Sequence, residues 1–211
     1  DELKDKTFEE IILSRLERYS DMTVDDIDSK VGSGLNKNAK NYCQKLALRM
    51  LGLKKNKIEE FKKGDITIKT IRLGKNGSPK ESMSFPTFKY KEIVKEPWDD
   101  SKLHEMFNKK YFFIIFQYDE QKTLRFKKGM FWTMSAEDLK EAKIVWNKTR
   151  RCINADITDI SELPKSSENR VAHVRSHGRN KKDTYETPSG RHLTKTCFWL
   201  NAGYIKEQIG K

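Results

Sequence analysis

A basic segment near the C-terminus has the side chains best suited to binding a polyanion. Between Arg170 and Lys195 it contains seven bases, two acids and three of the four histidines of the chain. Guanidinium groups form paired hydrogen bonds with phosphates and with guanine edges, and lysines release counterions when they meet a nucleic acid. The bases are Arg170, Arg175, Arg179, Lys181, Lys182, Arg191 and Lys195. Charge alone leaves a second interpretation open, an ordinary basic hairpin on a soluble surface.

The histidines and cysteines do not have the spacing of a metal site. The three cysteines, Cys43, Cys152 and Cys197, are far apart in sequence, and no C-x-x-C pair occurs. His173 and His177 are four residues apart, but Gly178 follows them and the segment reads as a strand running into a loop rather than a helix. We therefore predict no metal ligands in this chain, and the sparse, odd cysteine count is typical of a reducing compartment.

The strands and helices that the sequence pattern predicts must position the basic segment. Thr7 begins a capping box, residues 65–73 alternate as a strand, and residues 111–118 are apolar enough to form a buried central strand. Ser135 caps a long helix, and Asn201 is expected to cap the last one. The pattern predicts a mixed α/β fold. Further elements are predicted at 38–51 (helix), 82–90 (strand), 98–108 (helix), 124–126 and 131–134 (short strands), 171–175 (strand) and 193–200 (strand).

The charge of the whole chain is concentrated outside its first thirty residues. The 211 residues have a net charge of +12, and residues 1–30 hold ten acids and five bases, so the remainder carries +17. The longest strongly apolar run, at 111–116, is too short to cross a bilayer, and the N-terminus lacks the apolar core of a signal peptide. We expect a cytoplasmic protein without membrane contact. Because the sequence does not start with Met, we also expect it to come from a longer polypeptide.

Several motifs occur in the order found in one nuclease family. The strand Thr67–Leu73 resembles the motif E-L-K-T-I-P-V, and residues 98–103, 131–133, 173–179, 188–190 and 197–201 follow in matching order. Residues 36–205 thus resemble the mismatch-repair endonuclease MutH and the related GATC-cutting type II restriction endonucleases of the Sau-three-A-I type. The resemblance implies a restriction-endonuclease-like core with a mixed central sheet flanked by helices. We predict a single domain over 1–211, with an acidic helical lead-in at 1–30.

The family's catalytic set is largely missing from this sequence. The resemblance implies a D…E-x-K site in which carboxylates hold Mg²⁺ and a lysine orients the attacking water. Thr67 stands in place of the glutamate, although Lys69 is retained, and the nearest upstream carboxylates are Glu59 and Glu60. A helix acid is replaced by Leu48, and a second catalytic lysine by Met106. We predict that no catalytic site is intact and that this domain binds no cofactor, whereas the parent enzyme would use Mg²⁺.

A rearranged site is the enzymatic alternative. Asp65 is predicted to share a strand face with Thr67 and Lys69, but four residues of strand separate its carboxylate from Lys69 by about 13 Å. Only another segment, such as the one carrying Glu60 or Glu81, could add a second carboxylate. The simpler interpretation of Lys69 is a solvated or phosphate-contacting base.

The base-reading segments, in contrast, are retained. In the family, the segment aligned with 173–179 lies in the major groove of GATC, and the loop aligned with 190–195 adds base and backbone contacts. His177 and His192 replace a lysine and a tyrosine of MutH, and both can still donate to a base edge. The resemblance therefore implies that DNA is bound by Arg175, His177, Arg179, Lys181, Arg191, His192 and Lys195.

Together these features predict a pseudonuclease in a restriction-modification system. Our hypothesis is that the chain is the C-terminal half of a duplicated type II restriction endonuclease and binds GATC in double-stranded DNA without cutting it. It would act as an allosteric effector of an N-terminal catalytic MutH-like domain in the same polypeptide, with dimerisation or looping on two-site DNA. The alternatives are an active, divergent Mg²⁺-dependent endonuclease using Asp65, Glu60 and Lys69, and a nonspecific nucleic-acid-binding module.

Overall fold

Two three-stranded sheets, each with its own helices, organise the chain. The computed structural model describes residues 6–32, 34–52, 61 and 63–211. They form two compact units: unit 1 lies within residues 1–80 and 109–133, and unit 2 comprises residues 81–108 and 134–211. Each unit therefore contains segments that are distant in sequence. That residues 1–211 act as one domain stays a prediction.

Helices and strands are interleaved along the chain. We number the described elements in chain order. They are α1 (Phe8–Glu17), α2 (Val24–Val31), α3 (Tyr42–Met50), β1 (Ile66–Leu73), β2 (Met83–Phe88), α4 (Tyr90–Ile93), α5 (Lys102–Asn108), β3 (Lys110–Tyr118), β4 (Leu124–Trp132), α6 (Ala136–Asn154), a 3-10 turn (Ile160–Glu162), β5 (Ala172–Ser176), β6 (Thr184–Glu186), β7 (His192–Thr194), β8 (Thr196–Leu200) and α7 (Ala202–Gly210).

Unit 1 contains a mixed sheet in the order β1-β3-β4. The apolar strand β3 is central, as predicted, and it runs parallel to β1 and antiparallel to β4. Phe112 and Ile114 belong to one buried cluster, against which Ile66 and Ile68 of β1 also pack. Phe113 stacks on Trp132 with ring centroids 5.2 Å apart. Strand β3 is thus buried along nearly all of its length, which explains its run of apolar residues.

Helix α1 begins where its sequence predicts. The Thr7 hydroxyl accepts from the backbone N–H of Glu10, and the Glu10 carboxylate accepts from the backbone N–H of Thr7. This reciprocal pair satisfies two backbone donors at the start of the helix. The helix then buries Ile12 and Leu16 in the cluster of unit 1.

Strand β4 differs from its sequence prediction. The sequence predicts two short strands on either side of Lys127, Lys128 and Gly129, which interrupt the apolar pattern. One continuous strand forms instead, because β3 provides backbone partners along its whole length and a bulge between Ile115 and Phe116 absorbs the irregularity. The helix predicted at 38–51 also begins later, at Tyr42, and the sequence pattern does not predict α2 and α4.

Unit 2 contains the antiparallel sheet β2-β8-β5 and the hairpin β6-β7. Strand β8 is central, and β5 is an edge strand that pairs with it from Ala172 opposite Leu200 to Ser176 opposite Thr196. Helix α6 is capped by Ser135, as predicted, and its Asp138 is buried where it pairs with Arg170 and accepts from the Tyr204 hydroxyl at 3.0 Å. The start of α6 is thereby tied to the segment before β5 and to α7.

The observed architecture is the mixed α/β fold that the sequence predicted, with a mixed sheet in unit 1 and an antiparallel sheet in unit 2, each accompanied by helices. Among the described helices, none combines the length and the apolar character that a bilayer span requires.

Candidate nucleic-acid interface

Strand β5 passes from a buried start to an exposed end. Ala172, His173 and Val174 are buried, whereas Arg175 and Ser176 are exposed. The half-buried Trp199 of β8 lies beside this exposed end: the Arg175 guanidinium carbon lies 4.4 Å from the centre of the Trp199 ring. His177, just past the strand, meets the same ring edge-on with centroids 5.3 Å apart. A cation and an imidazole therefore flank one half-buried indole at the exposed end of the strand.

His173 and Asn201 lie buried next to this site. The Asn201 amide nitrogen donates to the carbonyls of Asn169 at 2.7 Å, Arg170 at 3.1 Å and Ser166 at 3.4 Å. Those bonds fix the amide orientation, so the Asn201 oxygen accepts and His173 Nδ1, 2.5 Å away, carries the proton. Burial lowers the pKa of His173, and the nearby Arg175 charge lowers it further, whereas the Asn201 bond acts in the opposite direction. His173 is therefore a neutral structural side chain.

The loop after β5 is held to the rest of unit 2 by Asp183. Its carboxylate accepts from the backbone N–H of Arg179 at 3.0 Å and pairs with Lys195 Nζ at 2.5 Å. These contacts, led by the Arg179 backbone bond, lower the pKa of Asp183. Lys195 also lies over the Tyr185 ring, 4.6 Å from its centre. The ammonium group of Lys195 thus ties the loop to the β6-β7 hairpin.

Gly178 explains why this loop can lie so close to the hairpin. A Cβ atom at this position would be 2.9 Å from the Asp183 carbonyl oxygen and 3.1 Å from a methyl of Thr194. The backbone N–H of His177 donates to the Lys195 carbonyl at 2.7 Å, next to this close approach. Only glycine permits it without displacing backbone.

Arg191 and His192, at the start of β7, have different environments. Arg191 donates from Nε and from a terminal nitrogen to the two oxygens of Asp156, at 3.1 and 3.2 Å. That fork, together with the Ser189 hydroxyl, lowers the pKa of Asp156. His192 is exposed, and its ring Nδ1 makes a long contact of 3.5 Å with the Thr184 hydroxyl. Arg191 is thus held by a carboxylate, whereas His192 faces solvent.

The five lysines and arginines among the seven predicted DNA-binding residues therefore separate into two groups, and all seven residues lie within unit 2. Lys195 and Arg191 are engaged with Asp183 and Asp156. Arg175, Arg179 and Lys181 are exposed, and within the described part of the chain no carboxylate side chain forms an ion pair with them. Cations without an acidic partner retain their capacity for phosphate or base contacts. The residues that the sequence prediction missed are Trp199, Asn201, Asp183 and Tyr185, although strand alternation over 196–200 could have placed Trp199 on the outer face.

The strand that resembles the nuclease motif lies in unit 1. Thr67 and Lys69 sit on β1 opposite Tyr111 and Phe113 of β3. Lys69 is half-buried, and desolvation lowers its pKa. The predicted alternation does not extend to Asp65, because the strand begins at Ile66 and Asp65 has a left-handed backbone with φ of 49°. Asp65 pairs instead with Lys109 Nζ at 3.1 Å.

The donors described around β1 do not fit Mg²⁺. Thr67 offers a neutral hydroxyl, and the Asp65 carboxylate already has a cationic partner. Across the described ranges, no three His, Cys, Asp or Glu side chains gather in a way that could hold a metal. Glu59 and Glu60, the upstream candidates, lie outside the described residues. Thr67 and Asp65 therefore do not form the carboxylate pair that the nuclease motif needs to hold Mg²⁺.

Two matches to known proteins bear on these segments. Residues 51–144 match the model of the family described as DNA mismatch repair enzyme MutH. The chain is also 26% identical, over an alignment of 257 residues, to the type II restriction enzyme Sau3AI of Staphylococcus aureus, with 99% of this chain and 52% of that enzyme covered. The resemblance predicted from the sequence motifs is thereby confirmed. The chain spans about half the length of this relative, and the basic segment around β5 lies beyond the MutH match but within the longer alignment.

Proposed function

We propose that this chain, which is similar along nearly its whole length to a type II restriction enzyme, binds double-stranded DNA and reads GATC without cutting it. The observation that carries the proposal is the exposed end of β5, where Arg175 lies over Trp199 beside His177. Arg175 offers the planar pair of donors that matches the O6 and N7 acceptors of guanine in the major groove. Arg179 and Lys181 lie in the adjoining loop and are suited to phosphate contacts.

The absence of cutting is supported by the chemistry of β1. Thr67 replaces the carboxylate of the family motif, and Asp65 is engaged by Lys109. A neutral hydroxyl holds Mg²⁺ far less strongly than a carboxylate does. Lys69 alone cannot polarise a phosphodiester or generate hydroxide without a bound cation. The chain would therefore retain affinity for DNA after losing the ability to hydrolyse it.

The test compares binding and cleavage in the same preparation. Affinity is measured for a GATC duplex and for a scrambled duplex of equal composition across a range of salt concentrations, and GATC plasmid is incubated with Mg²⁺. We expect tighter binding of the GATC duplex at every salt concentration and an intact plasmid. Equal affinities would indicate a nonspecific binding module instead. Nicking that disappears in Lys69→Ala would indicate the divergent endonuclease with Asp65, Glu60 and Lys69.

The proposal extends to an effector role in a longer polypeptide. The chain covers about half of its restriction-enzyme relative, which leaves room for an N-terminal catalytic MutH-like domain that would bind Mg²⁺. Occupancy of one GATC site by this chain would then favour the active form of the catalytic domain on a second site, through a coupling free energy. With the full-length polypeptide, we expect faster cleavage of a two-site plasmid than of a one-site plasmid, and Arg175→Ala should remove the difference. Equal rates on both plasmids would contradict the effector role.

A further inference from the structure

Trp199 occupies a central position among the polar side chains at the exposed end of β5. It lies opposite His173 in the β5-β8 register. The His173 ring is nearly parallel to the indole, at 18° with centroids 6.3 Å apart, and His177 approaches at 76°. Arg175 covers the ring at 4.4 Å. Three residues at alternate positions, on β5 and just beyond its end, thus surround one aromatic side chain.

From this arrangement we propose that Trp199 is a positioning residue that presents Arg175 to DNA. This inference rests on the proposed function of the exposed end of β5. A guanidinium that stacks on an indole loses much of its rotational freedom while its N–H groups remain free to point outwards. Because the side chain is ordered before binding, less conformational entropy is lost when it meets a base.

A buried polar connection lies next to Trp199. Asn201 donates to three carbonyls of the loop before β5 and accepts from His173. His173, only 5% exposed, then faces the indole. The side chains of Asn201, His173, Trp199 and Arg175 thus form a continuous series of contacts from the loop at 166–170 to the guanidinium.

The experiment compares Trp199→Leu with Trp199→Phe, which keeps an aromatic face. Affinities for GATC and scrambled duplexes are measured across salt concentrations, and thermal unfolding verifies that both variants are folded. We expect Trp199→Leu to reduce the GATC preference by roughly three- to tenfold, the cost of ordering one long side chain on binding, with an unchanged salt slope. Trp199→Phe should retain most of the preference. An unchanged preference in Trp199→Leu, or an equal loss on both duplexes, would overturn the inference.

A second measurement is independent of DNA. Arginine side-chain NMR on the free protein should report a ring-current shift and restricted motion of the Arg175 Nε–H group that are lost in Trp199→Leu and kept in Trp199→Phe. Arg150 is a positive reference for a restricted guanidinium, because it lies 4.4 Å over Trp146 in the same unit and also donates to the Val94 carbonyl at 2.6 Å. A wild-type protein without GATC preference would refute the proposed function, and the NMR comparison would still decide the positioning role. A mobile Arg175 side chain in the wild-type protein would refute the positioning role of Trp199.

Discussion

At the scale of single residues, the environment of each cation determines what it can do. Lys195 and Arg191 have the same charge as Arg175, but each forms an ion pair with a carboxylate of unit 2. Ion pairs on a protein surface contribute little stability, yet they compete with phosphates for the same donors. Arg175 has an aromatic partner, which leaves its N–H donors available for a base. We therefore propose Arg175 as the base-reading arginine.

Replacement of Arg175 by alanine should therefore reduce discrimination more than overall affinity. We expect Arg175→Ala to lose ~1–3 kcal/mol of preference at one base pair of the site, the value of a bidentate arginine–guanine contact. Affinity measurements on duplexes with each base pair changed in turn will test this. Arg150→Ala removes the same charge from another arginine–tryptophan pair and should leave the preference unchanged. A uniform loss on all duplexes would reassign Arg175 to phosphate contact.

His173 should make the stability of the fold depend on pH. Burial and Arg175 lower its pKa from the ordinary value of 6.5, so the folded protein resists protonation more than the unfolded chain does. The unfolded chain then binds more protons just below pH 6.5, and stability must fall as the pH decreases through this range. We expect the free energy of unfolding to decrease from about pH 7.5 to about pH 5, and His173→Gln to reduce that decrease. Exposed His177→Gln serves as the control; a variant of His173 with the wild-type pH profile would contradict the prediction.

At the scale of elements, close packing of α1 against β4 depends on one glycine. A Cβ atom at Gly129 would lie 2.8 Å from Leu16 Cδ1 and 2.9 Å from Phe112 Cζ. Both neighbours are almost fully buried, so neither side chain can move aside without disturbing the cluster of unit 1. The glycine that interrupts the apolar pattern of β4 is thus the residue that lets helix and sheet approach each other.

Gly129→Ala should consequently destabilise the protein. We expect a loss of about 1–3 kcal/mol in the free energy of unfolding, as found when a packed core receives an extra methyl group. Gly203→Ala is the matched control: no heavy atom lies within 4 Å of the added methyl, and alanine favours helix α7. Denaturant titration of both variants will distinguish them. Equal stability of the two variants would indicate that the core around Gly129 adapts.

At the scale of the whole molecule, the net charge of +12 favours any polyanion. Cations that meet phosphates release condensed counterions, so affinity must fall as salt increases, whatever the DNA sequence. Under the proposed function, the exposed end of β5 and the general charge make separable contributions to DNA binding. Sequence preference should respond to Arg175 and Trp199, and the salt slope to lysines that touch only the backbone.

Lys181 provides the test of this separation. It is exposed, and no acidic side chain forms an ion pair with it among the residues that the structure describes. Lys181→Ala should weaken binding to GATC and scrambled duplexes equally. It should also lower the slope of log affinity against log salt by about 0.9, the value of one phosphate contact. Lys140→Ala, on the exposed surface of α6, removes an equal charge and should leave the slope almost unchanged. A selective loss of GATC binding in Lys181→Ala would instead place this lysine at a base.

The local features of this protein follow from its sequence. The capping box at Thr7, the central strand β3 and the helix starting after Ser135 depend on neighbouring residues, and spacing alone predicts each of them. The order of motifs also identifies the resemblance, and the residue type at 67 identifies the missing carboxylate. The continuity of β4 could not be predicted, because a partner strand and a bulge, rather than its own residues, allow it.

The properties of the candidate site were decided by tertiary structure. Arg191 is paired because Asp156, 35 residues away, lies beside it, and Lys195 because the loop returns Asp183 to it. Arg175 lies over Trp199 because their strands, β5 and β8, pair in a particular register, although a loop and a hairpin separate them along the chain. Sequence determines which side chains carry charge. Only the fold determines which of those charges are neutralised by neighbours and which remain directed outwards, because electrostatic interactions depend on distance in space and not along the chain.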